Sequence, residues 1–239
     1  DAWNVEHRLL PEYILLIARM ESLFQGLRDW CLQEEQRLGV DGPPNIEVLK
    51  AAARQLGPAV SATLDNVWEE FHRVAERISE AESPRYCEYL RAHLLRYLMT
   101  SPFAYRSFTK PLGYAGDYGC VLMIERDPYE GESLFAMMMN YWLLQQLPSR
   151  AHRSRIDYLE RALLEEAARM RAAGRSLRVF NLGCGPAIEV QRFLRLQGVS
   201  SQADFTLLDF SRETIDYTRG VLEQLRAQYG RRTRIQFVE

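Results

Sequence analysis

No apolar run in this sequence approaches the roughly 18–20 residues that span a bilayer. The best candidate, YILLIARM at 13–20, is short and carries Arg19. No basic-then-apolar leader with a small-residue cleavage site is read at the amino end. Charge of one sign is lacking too. Thirty Lys and Arg against 32 Asp and Glu leave a formal charge of -2. That gives no reason to expect nucleic acid or an anionic membrane as partner. There are only four cysteines, Cys31, Cys87, Cys120 and Cys184, and no CxxC pair. Free thiols in a reducing, cytoplasmic setting are the expectation. The histidines, His7, His72, His93 and His152, form no pair at helical spacing, which argues against a metal site. Neither an internal repeat nor a low-complexity tract occurs.

What is present is an ordinary globular composition, 47% hydrophobic and 26% charged over 239 residues. That length suits one large or two small domains. Residues 12–38 read as an amphipathic helix with Ile14, Ile17, Leu23, Phe24, Leu27 and Trp30 at helical spacing. DGPPN at 41–45 breaks it, a short helix runs to Gln55, and LGP at 56–58 interrupts again. A third helix covers 61–82, with Leu64, Val67, Trp68, Phe71 and Val74 on one stripe. A fourth covers 83–99, with Ser83 as N-cap and Pro84 at the first helical position. The segment 101–119 is rich in Gly, Pro and aromatic residues and reads as a structured loop, of the kind that often carries function. Helices follow at 132–147 and 149–174, the second ending at Gly174.

From Leu177 the texture alternates: strand LRVFNL, helix PAIEVQRFLRLQ, strand ADFTLLDF, helix RETIDYTRGVLEQLRAQYG capped by Ser211, strand RIQFVE. This is β-α-β-α-β, the pattern of a parallel doubly wound sheet. The expected division is a helical domain at 1–100, a loop-and-helix segment covering the active site at 101–176, and a parallel α/β domain at 177–239. The chain begins at Asp1 without a Met and stops inside a strand, so a core cut short is expected.

The stretch VFNLGCGPAIEV at 179–190 carries the chemical signal. In an open parallel sheet, ligands bind beyond the carboxyl ends of the strands. Gly183-Cys184-Gly185 stands at that end of the first strand and Asp209 at that end of the second. Glycines allow a tight turn and close approach of a ligand, and the Asp can accept from ribose hydroxyls. A dinucleotide fingerprint would need a third small residue where Ile188 stands. Pro186 also removes an N–H that a pyrophosphate would use. A ligand with ribose but without phosphate fits better than NAD.

These residues, with FTLLDFS at 205–211, resemble motif I and the acidic second-strand motif of class I S-adenosylmethionine-dependent methyltransferases. The resemblance implies the first half of a Rossmann-like methyltransferase sheet and S-adenosyl-L-methionine as cofactor. It implies that Gly183, Cys184, Gly185 and Pro186 lie along its methionine and ribose. It further implies that Asp209 holds the ribose hydroxyls and Phe210 lies beside the adenine. Upstream, KPLGYAGDY at 110–118 is similar to a segment of the bacterial methyltransferases that make 3-hydroxypalmitic acid methyl ester. With it the resemblance extends over 101–239. It implies methylation of a hydroxy fatty acid carboxylate, giving a diffusible quorum-sensing signal.

A carboxylate acceptor is ionised at pH 7 and needs no general base; for an acceptor of high pKa, Asp117 or His152 would be the candidate. Tyr114, Asp117 and Tyr118 are expected to line the active site, since aromatic faces and a carboxylate suit a sulfonium. The plainer alternative is that the tyrosines pack and Asp117 caps the next helix. Arg153 and Arg155 stand where they can pair with a cofactor or substrate carboxylate, or are solvated helix residues. Met137, Met138 and Met139 with Tyr141 and Trp142 either line an acyl pocket or belong to the core. Cys184 reads as a small side chain that the turn tolerates. Three strands with a free edge predict dimerisation and weak or no activity for a core cut short. The rival function is a non-catalytic nucleoside-binding or partner-binding module; a methyltransferase for another small acceptor is a further alternative.

Overall fold

The structure is a computed structural model that describes residues 9–39, 45–196, 198 and 203–239. His7 and residues 41–44 of the expected break lie outside the described residues. In chain order the elements are α1 Pro11–Leu38, α2 Ile46–Ala75, α3 Ser83–Leu98, α4 Pro102–Thr109, α5 Tyr118–Glu125, α6 Leu134–Gln145 and α7 Leu147–Ala172. Then come β1 Leu177–Leu182, α8 Ile188–Arg195, β2 Ala203–Leu208, α9 Arg212–Gln228 and β3 Arg234–Val238. The chain is an α/β protein, mostly helical. No described helix is long and apolar enough to cross a membrane. The fold divides into two compact units. One holds the described residues up to Pro111 together with Asp127–Gln146; the other holds Leu112–Arg126 and Leu147–Glu239. All three boundaries between the units fall inside the segment 101–176.

In the helical unit, α6 is buried on all sides, as expected of a helix with no polar face. Met137, Met138 and Met139 are 0% exposed. They therefore belong to the core of this unit and line no acyl pocket. Trp142 sits edge-on to both Trp68 and Phe24. Its indole N–H donates to Asp65 at 2.9 Å, so the one polar atom of a buried ring is satisfied. Asn140, 1% exposed, accepts from the Ser101 hydroxyl and the Phe103 amide and donates to the Pro128 carbonyl.

Three expectations are corrected here. LGP does not interrupt: α2 runs unbroken through Gly57 and Pro58. Gly57 is buried where the Tyr129 ring lies; a Cβ there would come within 3.0 Å of it. Packing of that ring on the helix outweighs the hydrogen bond that Pro58 forgoes. The stretch 101–119 is not loop throughout. Ser101 accepts from the Ala104 amide and Pro102 opens α4, so the irregular part is confined to 110–117. Ser83 is the first residue of α3 rather than its cap. On α1 the buried stripe is Tyr13, Leu16, Ile17, Met20, Phe24 and Cys31, with Ile14, Leu23, Leu27 and Trp30 only partly buried.

The second unit carries a three-stranded parallel sheet in the order β1-β2-β3, with Leu177 opposite Ala203 and Asp204 opposite Arg234. Leu177, Val179, Ala203, Phe205, Leu207, Ile235 and Phe237 point to one face and join a core with α7, α8 and α9. Both crossovers step the same way across the sheet, so the right-handed rule sends α8 and α9 to the same side. The other face, with Phe180 and Leu182 at 64% and 73% exposed, is bare among the described residues. Arg192 of α8 pairs with Glu125 of α5 and with Asp157 and Glu160 of α7. This unit is held at its polar margin as well as in its core.

Candidate functional site

At the carboxyl end of β1 the backbone turns through Gly183 (φ +70°), Gly185 (φ +53°) and Ala187 (φ +48°). Only glycine adopts such angles freely. A Cβ built on either glycine would meet nothing within 4 Å, so the space above the turn is open. The turn is clasped from every side. The Gly183 and Cys184 amides donate to the Leu208 carbonyl at 2.8 and 2.9 Å. The Gly185 amide donates to Asp209 Oδ2 at 2.9 Å, and the Ser211 amide donates to Asp209 Oδ1 at 3.0 Å. Thr218 of α9 donates to the Gly185 carbonyl and Gln191 of α8 to the Pro186 carbonyl.

Asp209 is thus first a clasp between the end of β2 and the glycine turn, 5% exposed. Each carboxylate oxygen has a second lone pair, so capacity to accept from a ligand remains. Cys184 is buried, and desolvation, then the charges of Asp209 and Glu189, push its thiol up to about 12. It is no nucleophile at neutral pH.

The turn forms the floor of a cleft of about 400 Å³. Its walls are Tyr114, Gly116 and Tyr118, then His152, Arg155 and Ile156 of α7, then Asn181, Glu189, Asp209 and Phe210. A larger depression, about 730 Å³, lies on the bare sheet face. It is shallow and lacks the glycine turn. The strand ends, where a parallel sheet presents its loops, are the better site.

Of the residues expected from sequence, Tyr114, Tyr118, Arg155, Gly183, Cys184, Gly185, Pro186, Asp209 and Phe210 all line this cleft. The Tyr114 and Phe210 rings lie 5.0 Å apart, and Phe210 is 72% exposed. Tyr118 stacks on Tyr217 and donates to Glu213, so its hydroxyl already has a partner. Asp117 does not line the cleft. It is 1% exposed and accepts from the Cys120 amide at 3.0 Å as the N-cap of α5. Arg153 donates to the Ile124 carbonyl and is not merely solvated.

Arg155 donates to His152 Nδ1 at 3.0 Å. A guanidinium has no lone pair to offer, so Nδ1 accepts and the neutral ring carries its proton on Nε2. Burial, then the charges of Arg155 and Arg153, lower the His152 pKa. So held, His152 is a hydrogen-bond donor at Nε2 and a poor base. Glu189, 6% exposed, accepts from the Asn181 amide at 2.7 Å, and desolvation raises its pKa.

Asn181, Glu189, Gln191 and Thr218 escaped the sequence reading. Asn181 left a signal, a polar residue inside the apolar run VFNL. Glu189 looked like any acidic residue in a first helical turn. Among the described residues, no group of three or more His, Cys, Asp or Glu could hold a metal ion. No family model, no curated protein and no solved structure matches this chain.

Proposed function

We propose that this chain binds S-adenosyl-L-methionine at the glycine turn and is a class I methyltransferase with a Rossmann-like core. One observation carries the reading. An open, left-handed glycine turn at the end of β1 is clasped by the acidic residue at the end of β2 and floors a cleft.

The donor set of the cleft separates this ligand from a dinucleotide. Pro186 has no N–H, and the Ala187 amide is spent on the Cys184 carbonyl at 2.9 Å. Asp209 and Glu189 are buried carboxylates beside the turn, and a pyrophosphate would meet their repulsion. A ligand that is cationic at its sulfonium and ammonium suits them. The aromatic pair Tyr114 and Phe210 offers faces to an adenine or a sulfonium. The cofactor supplies a methyl group already activated for transfer. The chain's own part is then to hold donor and acceptor in line and to exclude water.

The acceptor follows from the upstream resemblance and from what the cleft lacks. His152 is held as a donor, Cys184 is protonated, and Asp117 is outside the cleft. That suits an acceptor already ionised at pH 7. A hydroxy fatty acid carboxylate, methylated to an ester signal, fits both lines. Calorimetric titration with S-adenosylmethionine, S-adenosylhomocysteine and NAD tests the reading. The first two are expected to bind and NAD to give no heat; binding of NAD alone would overturn it.

A further inference from the structure

Gly26 stands near the middle of α1, where glycine is unfavourable relative to alanine. Its own chain gives no reason for it: a Cβ built there would meet nothing within 4 Å. Around it α1 turns an apolar face outward, where a surface helix normally carries charge. Leu15 is 66% exposed, and Leu23, Leu27 and Trp30 are only partly buried. Leu23, Gly26, Leu27 and Trp30, with Arg19 and Val67, border an open depression of about 570 Å³. Arg19, Ser22, Leu23 and Gly26 have the spacing i, i+3, i+4, i+7. These are the corners of a hole that takes a knob from a facing helix. Trp30, one turn further on, is such a knob. In an antiparallel copy of α1 related by a two-fold axis at Gly26, Trp30 comes level with Ser22. The two residues stand four places either side of the axis. Each indole then enters the other copy's hole beside Arg19, and the helices come closest where neither has a Cβ.

Charge agrees with this register. Arg19 lies seven residues before Gly26 and Glu34 eight after it. Each copy's Arg19 therefore comes level with the other's Glu34. Leu15 comes level with Arg37, whose methylene stem can cover it. A parallel pairing would instead set Arg19 on Arg19 and Arg37 on Arg37. Within the chain Arg19 pairs with Glu70 and Glu34 with Arg37, the arginines being 60% and 75% exposed. Such surface pairs hold their members weakly. We infer that this face of α1 is where two copies of the chain associate, antiparallel about Gly26, with Trp30 as the anchor.

Analytical ultracentrifugation of the full chain over a concentration series tests this. The wild type is expected to show a reversible monomer–dimer equilibrium. Gly26→Glu puts a good helix former where its own chain leaves space. It should keep the circular dichroism and cooperative melting of the dilute protein and abolish the dimer, since two carboxylates meet at the axis. Arg19→Glu sets two carboxylates against Glu34 of the opposite copy, twice by symmetry, and should weaken the dimer about tenfold. Adding Glu34→Arg to that variant should restore association, which a general loss of fold would not allow. A wild type that stays monomeric throughout the series overturns the proposal. So does a dimer that survives Gly26→Glu, as pairing through the free edge of β1 would, or a double variant no tighter than Arg19→Glu alone.

Discussion

Glu189 shows how much a single residue's meaning depends on what surrounds it. In the sequence it is one acidic residue in IEVQRFLR; in the fold it is a carboxylate shut into the wall of a cleft. Asp209 moved the other way. Its position at the end of β2 was legible, but its engagement by two backbone amides was not, because those amides come from 24 residues before it and two after. Glu189 has a consequence for stability. Its folded pKa is raised from the ordinary value of 4.5. A raised pKa means that folding favours the protonated form. The contribution is fully present below about 4.5 and is lost as pH rises through the raised folded value. Glu189→Gln cannot titrate and keeps the acceptor for Asn181. Its melting temperature relative to wild type should therefore climb in the variant's favour as pH is raised from 4 toward neutrality. Parallel melting curves across that range would show that Glu189 carries no such linkage.

At the scale of elements, periodicity located most of the helices and all three strands, and β1 begins and ends where the apolar run LRVFNL does. The errors came where a local breaker met a tertiary contact. Gly57 and Pro58 read as a stop, yet α2 passes through them because Tyr129, itself stacked on Tyr141 at 4.7 Å, packs against the glycine. Proline there is a residual cost. Pro58 is exposed, so its ring packs against little, while it forgoes a bond to the carbonyl four residues back. Pro58→Ala should restore that bond. Against a proline penalty of about 3 kcal/mol in a helix interior, the unfolded chain gains back roughly 1 kcal/mol of freedom. The expected net effect is a stabilisation of about 1–2 kcal/mol, read from urea unfolding with an unchanged slope. A destabilised variant would mean that the ring or a bend at this point is part of the packing. The miss at 101–119 was local instead: the glycines of this segment lie at 113, 116 and 119, so the half before them was free to form α4.

At the scale of the whole chain, the sequence reading drew boundaries where composition shifts, near 100 and 176, while the compact units follow burial. Composition changes at Leu177 because strands begin there. The core those strands share reaches back into α7, through Leu163, Leu164, Ala167 and Met170. The core of the helical unit likewise reaches forward to α6, whose methionines and Trp142 are almost wholly buried. Neither boundary could be seen in periodicity, which reports the face a helix buries but not the partner it buries it against. The two divisions make opposite forecasts for fragments. If burial decides, residues 9–111 lack the centre of their own core. They should show helical circular dichroism without a cooperative thermal transition, whereas residues 9–146 should melt cooperatively. By the same argument residues 177–239 should be unfolded or aggregated alone, because α7 contributes Leu163, Leu164, Ala167 and Met170 to the core that Val179, Phe205 and Leu207 share. Cooperative melting of 177–239 by itself would show that the strands and the two crossover helices suffice, and that α7 is packed against that core without being required by it.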